Sequence, residues 1–389
     1  MNAMYFNKEH ELFRQTLREY IDKEIRPYAE EWDESETCPR ELFKQMGDLG
    51  YLGLLYPEEV GGTGGGRGED YFFNIVFCEE LTKCGAVGIS VGILVHSQMA
   101  SPALYYFGTD QQKMKYLKPA LKGEKILALG VTEPDHGSDV ASIETRAVKK
   151  GDQYVINGSK MYITNGSMAN YITLAARTGE EGHRGISLFI FDTTTPGFSV
   201  GKTLKKMGMH SSDTAELFFD DCAIPAENLL GKEGEGFKAI MAGFENERIM
   251  GAVQAYAAGE RAFELSLKYA RERKQFGRPI GEFQAVSHML AEMATEIEAA
   301  KQLTLYAAWL RSEGIPCRKE VQMAKYFASE MVNEVAYQAV QIHGGYGYMR
   351  ECEVERIYRD VRLITIGAGT SQIMKNIIAA QYGLGTNKY

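Results

Sequence analysis

Apolar positions recur at helical spacing from Phe6 to about Lys122, as in Leu12, Leu17, Tyr20 and Ile21 and again in Leu42, Phe43, Met46 and Leu49. Glycines and prolines punctuate this stretch at Pro57–Gly68 and Ser101–Pro102, so it predicts five or six helices. From Ile126 to about Leu230 the rhythm becomes short β-type runs: Tyr154–Ile156, Lys160–Thr164, Tyr171–Ala175, Ile186–Phe191 and Glu216–Phe219. Asn157-Gly158 and Asn165-Gly166 read as turns between them. Several short strands in succession predict a small antiparallel β-barrel or sandwich. After Gly236 the helical period returns in long segments, and neither Phe237 to Lys274 nor Phe283 to Gly314 contains a proline. Their alanine-rich faces predict a four-helix bundle. The chain is therefore expected to be an α+β multidomain protein: an N-terminal α-helical domain (1–122), a middle β-domain (123–235) and a C-terminal four-helix-bundle domain (236–389).

Composition narrows the class of protein without choosing a function. A length of 389 residues allows two to three domains at ~150 residues each. An apolar share of 44% with 24% charged residues excludes an intrinsically disordered chain. The net charge of −9 argues against a nucleic-acid partner. No apolar run approaching the ~20 residues of a membrane helix is expected. The six cysteines form no C-x-x-C pair and no His/Cys ladder, so no metal is expected, and a reducing, cytoplasmic compartment is. Glu9, Glu11 and Glu19 place acidic residues in an amphipathic first helix, which is unlike a targeting segment.

Six places could carry chemistry. The cluster Gly61–Gly68 lacks a following Lys-Ser/Thr and a preceding strand, and the chain holds no G-x-G-x-x-G, so a surface connection is expected there. Thr132-Glu133-Pro134, followed by Gly137 and Ser138, ends the first β run, where hydroxyls and backbone N–H groups can bind a flat ring or a phosphate, or merely build a polar turn. Glu247 lies in the helical stripe of Phe237, Ile240, Met241, Phe244, Gly251 and Ala255. It is either a solvated glutamate or, if that face is buried, a carboxyl with a raised pKa suited to general-base work. Gly251, one turn on, either allows a close helix contact or leaves room for a ligand. Arg271, Arg273, Lys274 and Arg278 flank Gln275-Phe276-Gly277 at the end of that helix, where they suit the helix dipole or a pyrophosphate. Gln341 to Tyr348 breaks a helix with three glycines, as a hinge or as a close approach to a cofactor. Ile366 to Ile373 reads as a helix start, a plain N-cap or an anion site.

Taken together and in this order, these segments resemble the acyl-CoA dehydrogenase family over essentially the whole chain. Gln341, Gly344, Gly345, Gly347, Tyr348 and Glu351, followed by Arg356 and Asp360, match the family's C-terminal signature. Thr132-Glu133-Pro134 with Gly137-Ser138-Asp139 matches the other signature, with His136 in place of a small residue. Met161 to Gly166 matches the flavin-side strand, with Tyr162 where many members have Trp. The resemblance implies FAD as cofactor, bound between the β-domain and the bundle of a homotetramer. Leu129, Val131, Thr132, Gly137, Ser138, Tyr162, Ile163 and Thr164 would contact the flavin ring. Arg273, Phe276, Gln284, Gln341 and Gly345 would hold the adenine dinucleotide of a neighbouring subunit, and Thr370 and Gln372 the pyrophosphate region.

One departure matters for the chemistry. Many short- and medium-chain members carry the catalytic Glu just before Gly-Thr in the last segment, where this chain has Ala368. Glu247, followed by Arg248, sits where the isovaleryl-CoA and long-chain types place theirs. The resemblance thus implies Glu247 as the base for α,β-dehydrogenation of an acyl-CoA substrate, with hydride passing to the flavin. Ser138, Phe244, Arg248, Gly251, Ala368 and Gly369 would line the substrate site, and the Ala368 N–H would bind the thioester carbonyl. The acyl group is expected to be branched, cyclic or medium to long, and the electron acceptor an electron-transferring flavoprotein. An enoyl-CoA reductase, an acyl-CoA oxidase and a non-catalytic flavin- or CoA-binding scaffold are the alternatives.

Overall fold

A computed structural model describes residues 4–64, 70–180 and 182–385. The chain begins with α1 (Lys8–Glu24), α2 (Ala29–Glu34), α3 (Arg40–Asp48), α4 (Phe72–Thr82), α5 (Val87–Leu94), α6 (Ser101–Phe107), α7 (Asp110–Gln112) and α8 (Lys118–Leu121). Wider helical turns join α5 to α6 and α7 to α8. Asn7 caps α1 by accepting from the backbone N–H groups of Glu9 and His10. Helix gives way to strand between Leu121 and Leu127, and strand to helix between Leu230 and Gly236.

The helical stretch Val87–Phe107 corrects one expectation, because it is long and apolar enough to cross a membrane by length and composition. Ser90, His96, Ser97, Gln98 and Ser101 interrupt the apolar run and hide it from a simple reading. Most of the stretch is buried inside the protein, where it packs against the first β-strand and the long helix that follows the sheet. His96 fixes the join to the sheet. The Leu127 N–H donates to His96 Nδ1 at 3.0 Å, so Nε2 carries the proton and donates to the Ala120 carbonyl at 3.1 Å. Burial lowers the pKa of this ring to about 4, which keeps it in that neutral form.

The β-domain comprises β1 (Leu127–Gly130), β2 (Arg146–Lys150), β3 (Gln153–Thr164), β4 (Tyr171–Arg177), β5 (Ile186–Asp192), β6 (Phe198–Thr203), β7 (Thr214–Pro225) and β8 (Leu229–Leu230). They form one sheet in the order β6-β7-β3-β2-β4-β5-β8, with β1 added on β4. The sheet is mixed and not purely antiparallel, since β1 and β2 both run parallel to β4. Asn157-Gly158 is not a turn either. It lies inside the single twelve-residue β3 as a bulge, with Gly158 at φ +143°. A side chain there would collide with Thr145, whose Cα lies 2.7 Å from the position a Cβ would take. Asn165-Gly166 is a turn, as expected.

A second bulge in β3, between Lys160 and Ile163, puts Tyr162 at φ +61° and turns its ring out to solvent. Lys160 points the other way, into the domain. Its ammonium donates to Glu133 at 2.7 Å and to the Val131 carbonyl at 3.0 Å, and the Glu133 carboxylate also accepts from the N–H groups of Glu144 and Thr145. The Glu133 of the first signature is thus a structural clamp on the loop that follows β1.

The C-terminal bundle contains α9 (Gly236–Glu272), α10 (Gln284–Ser312), α11 (Arg318–His343), α12 (Glu353–Val361) and α13 (Ser371–Gln381), with a hairpin of β9 (Lys274–Gln275) and β10 (Arg278–Pro279) after α9. α9 forms the middle of the molecule, and its residues from Arg248 to Gly259 are all buried. A charge network ties it to the first domain: Tyr256 donates to the buried Glu79 at 2.6 Å, and Arg14 of α1 pairs with Glu79 and Glu80. All six cysteines are unpaired thiols. Residues 61–64 of the glycine cluster fold back on the 53–56 turn through the N–H groups of Thr63 and Gly64, whereas 65–68 lie outside the described residues.

Removing one partner of the buried clamp strands the other. Glu133→Ala should destabilise the protein by about 3–5 kcal/mol, because it leaves the Lys160 ammonium buried and unpaired. Denaturant unfolding followed by tyrosine fluorescence checks this, and Lys160→Met should lose distinctly less.

Candidate active site

The turn of α9 that carries Glu247 is anchored before the carboxylate comes into play. Asn246 accepts from the Tyr71 hydroxyl at 2.7 Å and donates to the Gln98 carbonyl at 3.0 Å, so the first domain holds this turn in place. Phe244 and Glu247 are half-buried on the adjoining face, and Arg248 is buried. No hydrogen bond or ion pair joins the Glu247 carboxylate to any of the described residues. Burial pushes its pKa up to about 7, although the nearby charges of Arg248 and Lys325 pull the other way. Gly251, one turn on, is buried, yet a Cβ there would meet nothing within 4 Å, so open space lies one turn from Glu247.

Across from α9 lies the turn between α12 and α13. Ala368 has φ +56° and Gly369 φ +93°. The left-handed conformation costs an alanine about 1–2 kcal/mol, so something must hold it. Three carbonyls of this turn are held by buried cations. Arg248 Nε donates to the Ala368 carbonyl at 3.2 Å, while Lys325 Nζ donates to Ile364 at 2.8 Å and Gly369 at 2.7 Å. The backbone conformation of Gly369, at φ +93°, is one that a side chain would strain, which explains glycine there. The Ala368 N–H has no hydrogen-bond partner among the described residues. Thr370 is the N-cap of α13, its hydroxyl accepting from the Ile373 N–H at 3.2 Å, and Gln372 is exposed.

On the β-domain side, Gly137 and Ser138 are exposed on the loop after β1, and a Cβ on Gly137 would meet nothing within 4 Å. Thr132, Thr164 and Leu129 are half-buried, while Val131 and Ile163 turn their side chains into apolar cores and leave only backbone for a ligand. His136 lies 3.7 Å from Glu144 at the rim of a 220 Å³ hollow.

A larger cavity of 450 Å³ opens at the far end of α9, lined by Tyr269, Arg273, Gln275, His343, Gly345 and Tyr346 among others. The Arg273 guanidinium lies 5.6 Å from the centre of the Tyr346 ring. The β9–β10 hairpin beside it, read from sequence as the end of a helix, displays Phe276 at 93% exposure, and Gln284 and Gln341 are exposed nearby. Arg273 therefore groups with Gly345, but both lie a whole helix length from Glu247.

Models of the acyl-CoA dehydrogenase N-terminal, middle and C-terminal domains match residues 7–124, 128–222 and 234–383. The chain is 45% identical over 377 residues to a probable acyl-CoA dehydrogenase of Bacillus subtilis, covering 96% of this chain and 98% of that one. This chain belongs to the acyl-CoA dehydrogenase family. It is an oxidoreductase acting on CH–CH bonds, with the family's fold of a helical domain, a middle β-domain and a helical C-terminal domain. An NADH-dependent acryloyl-CoA reductase of Anaerotignum propionicum is 42% identical, covering 98% of this chain and 96% of its own. A chain in the solved structure of the electron-transferring flavoprotein of Acidaminococcus fermentans superposes with a TM-score of 0.93 at 42% identity, covering 97% and 98% of the two chains.

Within the family's signatures the structure separates joints from chemistry. Arg356 donates to the Gly85 carbonyl at 2.7 Å, and Asp360 accepts from the N–H groups of Val87 and Met209, so both stitch α12 to the other two domains. Lys325 went unnoticed in the sequence, although Val321, Ala328, Val332 and Val335 place it on a buried stripe. That is the pattern that singled out Glu247.

A carboxyl whose pKa rises on folding binds its proton more tightly when folded, so its presence weakens the fold as pH climbs from about 4.5 through 7. Glu247→Gln should therefore melt at a higher temperature than the wild type at pH 8, with the difference vanishing near pH 4.5. Thermal melts across that range check the sign.

Proposed function

We propose that the protein is an FAD-dependent acyl-CoA dehydrogenase that converts a saturated acyl-CoA into the trans-2-enoyl-CoA, with Glu247 as the base. One observation carries the reading: an unpartnered carboxylate with a pKa near 7 lies one arginine away from the turn that offers the unpartnered Ala368 N–H. Glu247 takes the proton from Cα of the substrate. The Ala368 N–H donates to the thioester oxygen as negative charge grows there, a donor fixed in advance and so at no cost of rearrangement. Phe244 and the buried Arg248 keep water from the base, and the space beside Gly251 receives the acyl chain.

FAD, when bound, supplies the acceptor for the hydride lost from Cβ. The residues fit such a group. Gly137 and Ser138 offer open backbone, the bulge at Tyr162 exposes a flat ring, and Arg273 with Gly345 forms a cationic, glycine-lined cavity. That cavity lies 26 residues along α9 from Glu247, about 39 Å at ~1.5 Å per residue, further than an extended dinucleotide reaches. The two ends of one FAD are therefore best served by two chains, which supports a homo-oligomer, proposed as a homotetramer, in which the adenine end is held by Arg273, Phe276, Gln284, Gln341 and Gly345 of a neighbour. An electron-transferring flavoprotein is the proposed electron acceptor. Open space at Gly251 and an exposed Gly367 favour branched, cyclic or longer acyl groups over butyryl.

The acryloyl-CoA reductase relative favours one second reading, the same chemistry run towards the saturated thioester. The purified protein should be yellow and should bleach anaerobically with one member of a panel of acyl-CoAs. Bleaching by none, with oxidation of the dye-reduced enzyme by an enoyl-CoA, would establish the reductase instead. Glu247→Gln should keep its flavin and lose at least about 1,000-fold in kcat, as expected for loss of a proton-transfer group. Wild-type kcat/KM should fall tenfold per pH unit below about 7, where Glu247 becomes protonated.

A further inference from the structure

α11 runs beside the α12–α13 turn and holds it at several points. Asn333 donates to the Val361 carbonyl at 3.4 Å, and Glu330 accepts from the Ser371 hydroxyl at 2.5 Å, so the two ends of the segment are fixed. Between them, Lys325 alone of the described α11 residues hydrogen-bonds the middle. Its ammonium binds the Ile364 and Gly369 carbonyls, five residues apart, which brackets the positive-φ pair Ala368–Gly369. Arg248 takes the carbonyl between, that of Ala368, from the α9 side.

Lysine on this stripe calls for an explanation, because a buried charge is costly without a use. Lys325 is 1% exposed among alanines and valines, and no carboxylate hydrogen-bonds to it. An apolar residue would fill the space at less cost but would release both carbonyls. A tetrahedral ammonium has three donors and can bridge two acceptors that lie on opposite sides of a turn. With that bridge in place, the peptide plane between Gly367 and Ala368 cannot rotate freely. The direction of the Ala368 N–H is therefore set from α11.

We propose that Lys325 is a positioning residue: by bridging the Ile364 and Gly369 carbonyls it holds the Ala368 N–H in the orientation that binds the substrate thioester oxygen. This inference rests on the dehydrogenase reading above. Lys325 touches neither substrate nor cofactor in this role; it acts through the turn.

The test uses the FAD-loaded enzyme with three variants, Lys325→Met, Lys325→Gln and Lys325→Arg, and the probe 3-thiaoctanoyl-CoA. In that thioester a sulfur replaces the β-carbon, so no hydride can leave. Loss of its α-proton when bound, read from a long-wavelength absorption band against pH, reports how strongly the carbonyl is polarised. Lys325→Met should lower kcat about 10- to 100-fold, somewhat less than removal of a whole oxyanion donor. KM should change less than about threefold, and the midpoint of the band should move up by about one pH unit. Lys325→Arg, with several donors, should recover part of both losses.

A Lys325→Met enzyme with wild-type kcat and an unmoved midpoint overturns the proposal. So does one that only melts earlier, since a merely structural lysine would leave the probe's acidity alone. If the Met variant does not retain FAD, the Gln and Arg variants decide: equal, wild-type midpoints in both overturn it, and a Gln midpoint above that of Arg supports it. A wild-type enzyme that neither bleaches with any acyl-CoA nor gives the band overturns the dehydrogenase reading and this inference together. Active wild type with indifferent Lys325 variants overturns this inference alone.

Discussion

A carboxylate drawn partly out of water and given no hydrogen bond from the protein holds its proton more tightly than one in solution, and the architecture around α9 keeps Glu247 in that state. Two cations lie near enough to temper the effect, yet the hydrogen bonds they make go to carbonyls: Arg248 Nε to Ala368, Lys325 to Ile364 and Gly369. A direct ion pair would have lowered the pKa of Glu247 and left it a poor base. Diverting the cations to the backbone leaves a carboxyl that changes protonation near neutrality and, at the same time, stiffens the turn opposite. In the proposed mechanism, one set of contacts thus tunes the base and holds the oxyanion donor.

That arrangement lies where the three regions of the chain meet and share their cores. Tyr71 and Gln98 of the first domain fix Asn246, one residue before the base. His96 joins the helical stretch to the start of β1, and Asp360 and Arg356 fasten α12 to the helical and β regions. Most of these links run from a side chain to a backbone N–H or carbonyl, which fixes direction as well as distance. Three of the signature residues, Glu133, Arg356 and Asp360, turn out to be such fasteners.

Periodicity made the order of helix, strand and helix legible, because each period is a local property of the chain. The apolar stripe around Glu247 was legible for the same reason. Asn157-Gly158 misled because glycine serves a turn and a bulge equally well, and the deciding neighbour, Thr145, comes from the segment just before β2. The parallel pairing of β1 and β2 with β4 depends on contacts across the sheet that no local pattern encodes. Lys325 was passed over because a lysine is ordinarily a surface residue, and only the valines and alanines at its helical neighbours show otherwise. The left-handed backbone at Ala368, a conformation alanine seldom adopts, had no trace in composition at all.

Placing the base on α9 has a consequence for residue 368 itself. In the proposed mechanism its backbone N–H carries the duty and its side chain carries none, which leaves the methyl group of Ala368 free to serve as part of the wall beside the substrate. Natural variation at this one position could widen or narrow that wall by a methyl or so, with glycine even relieving the backbone, while the proton-transfer group stays untouched 121 residues earlier in the chain. On that reading acyl preference and acid–base chemistry are written at independent positions, and a lineage can retune the first without rebuilding the second.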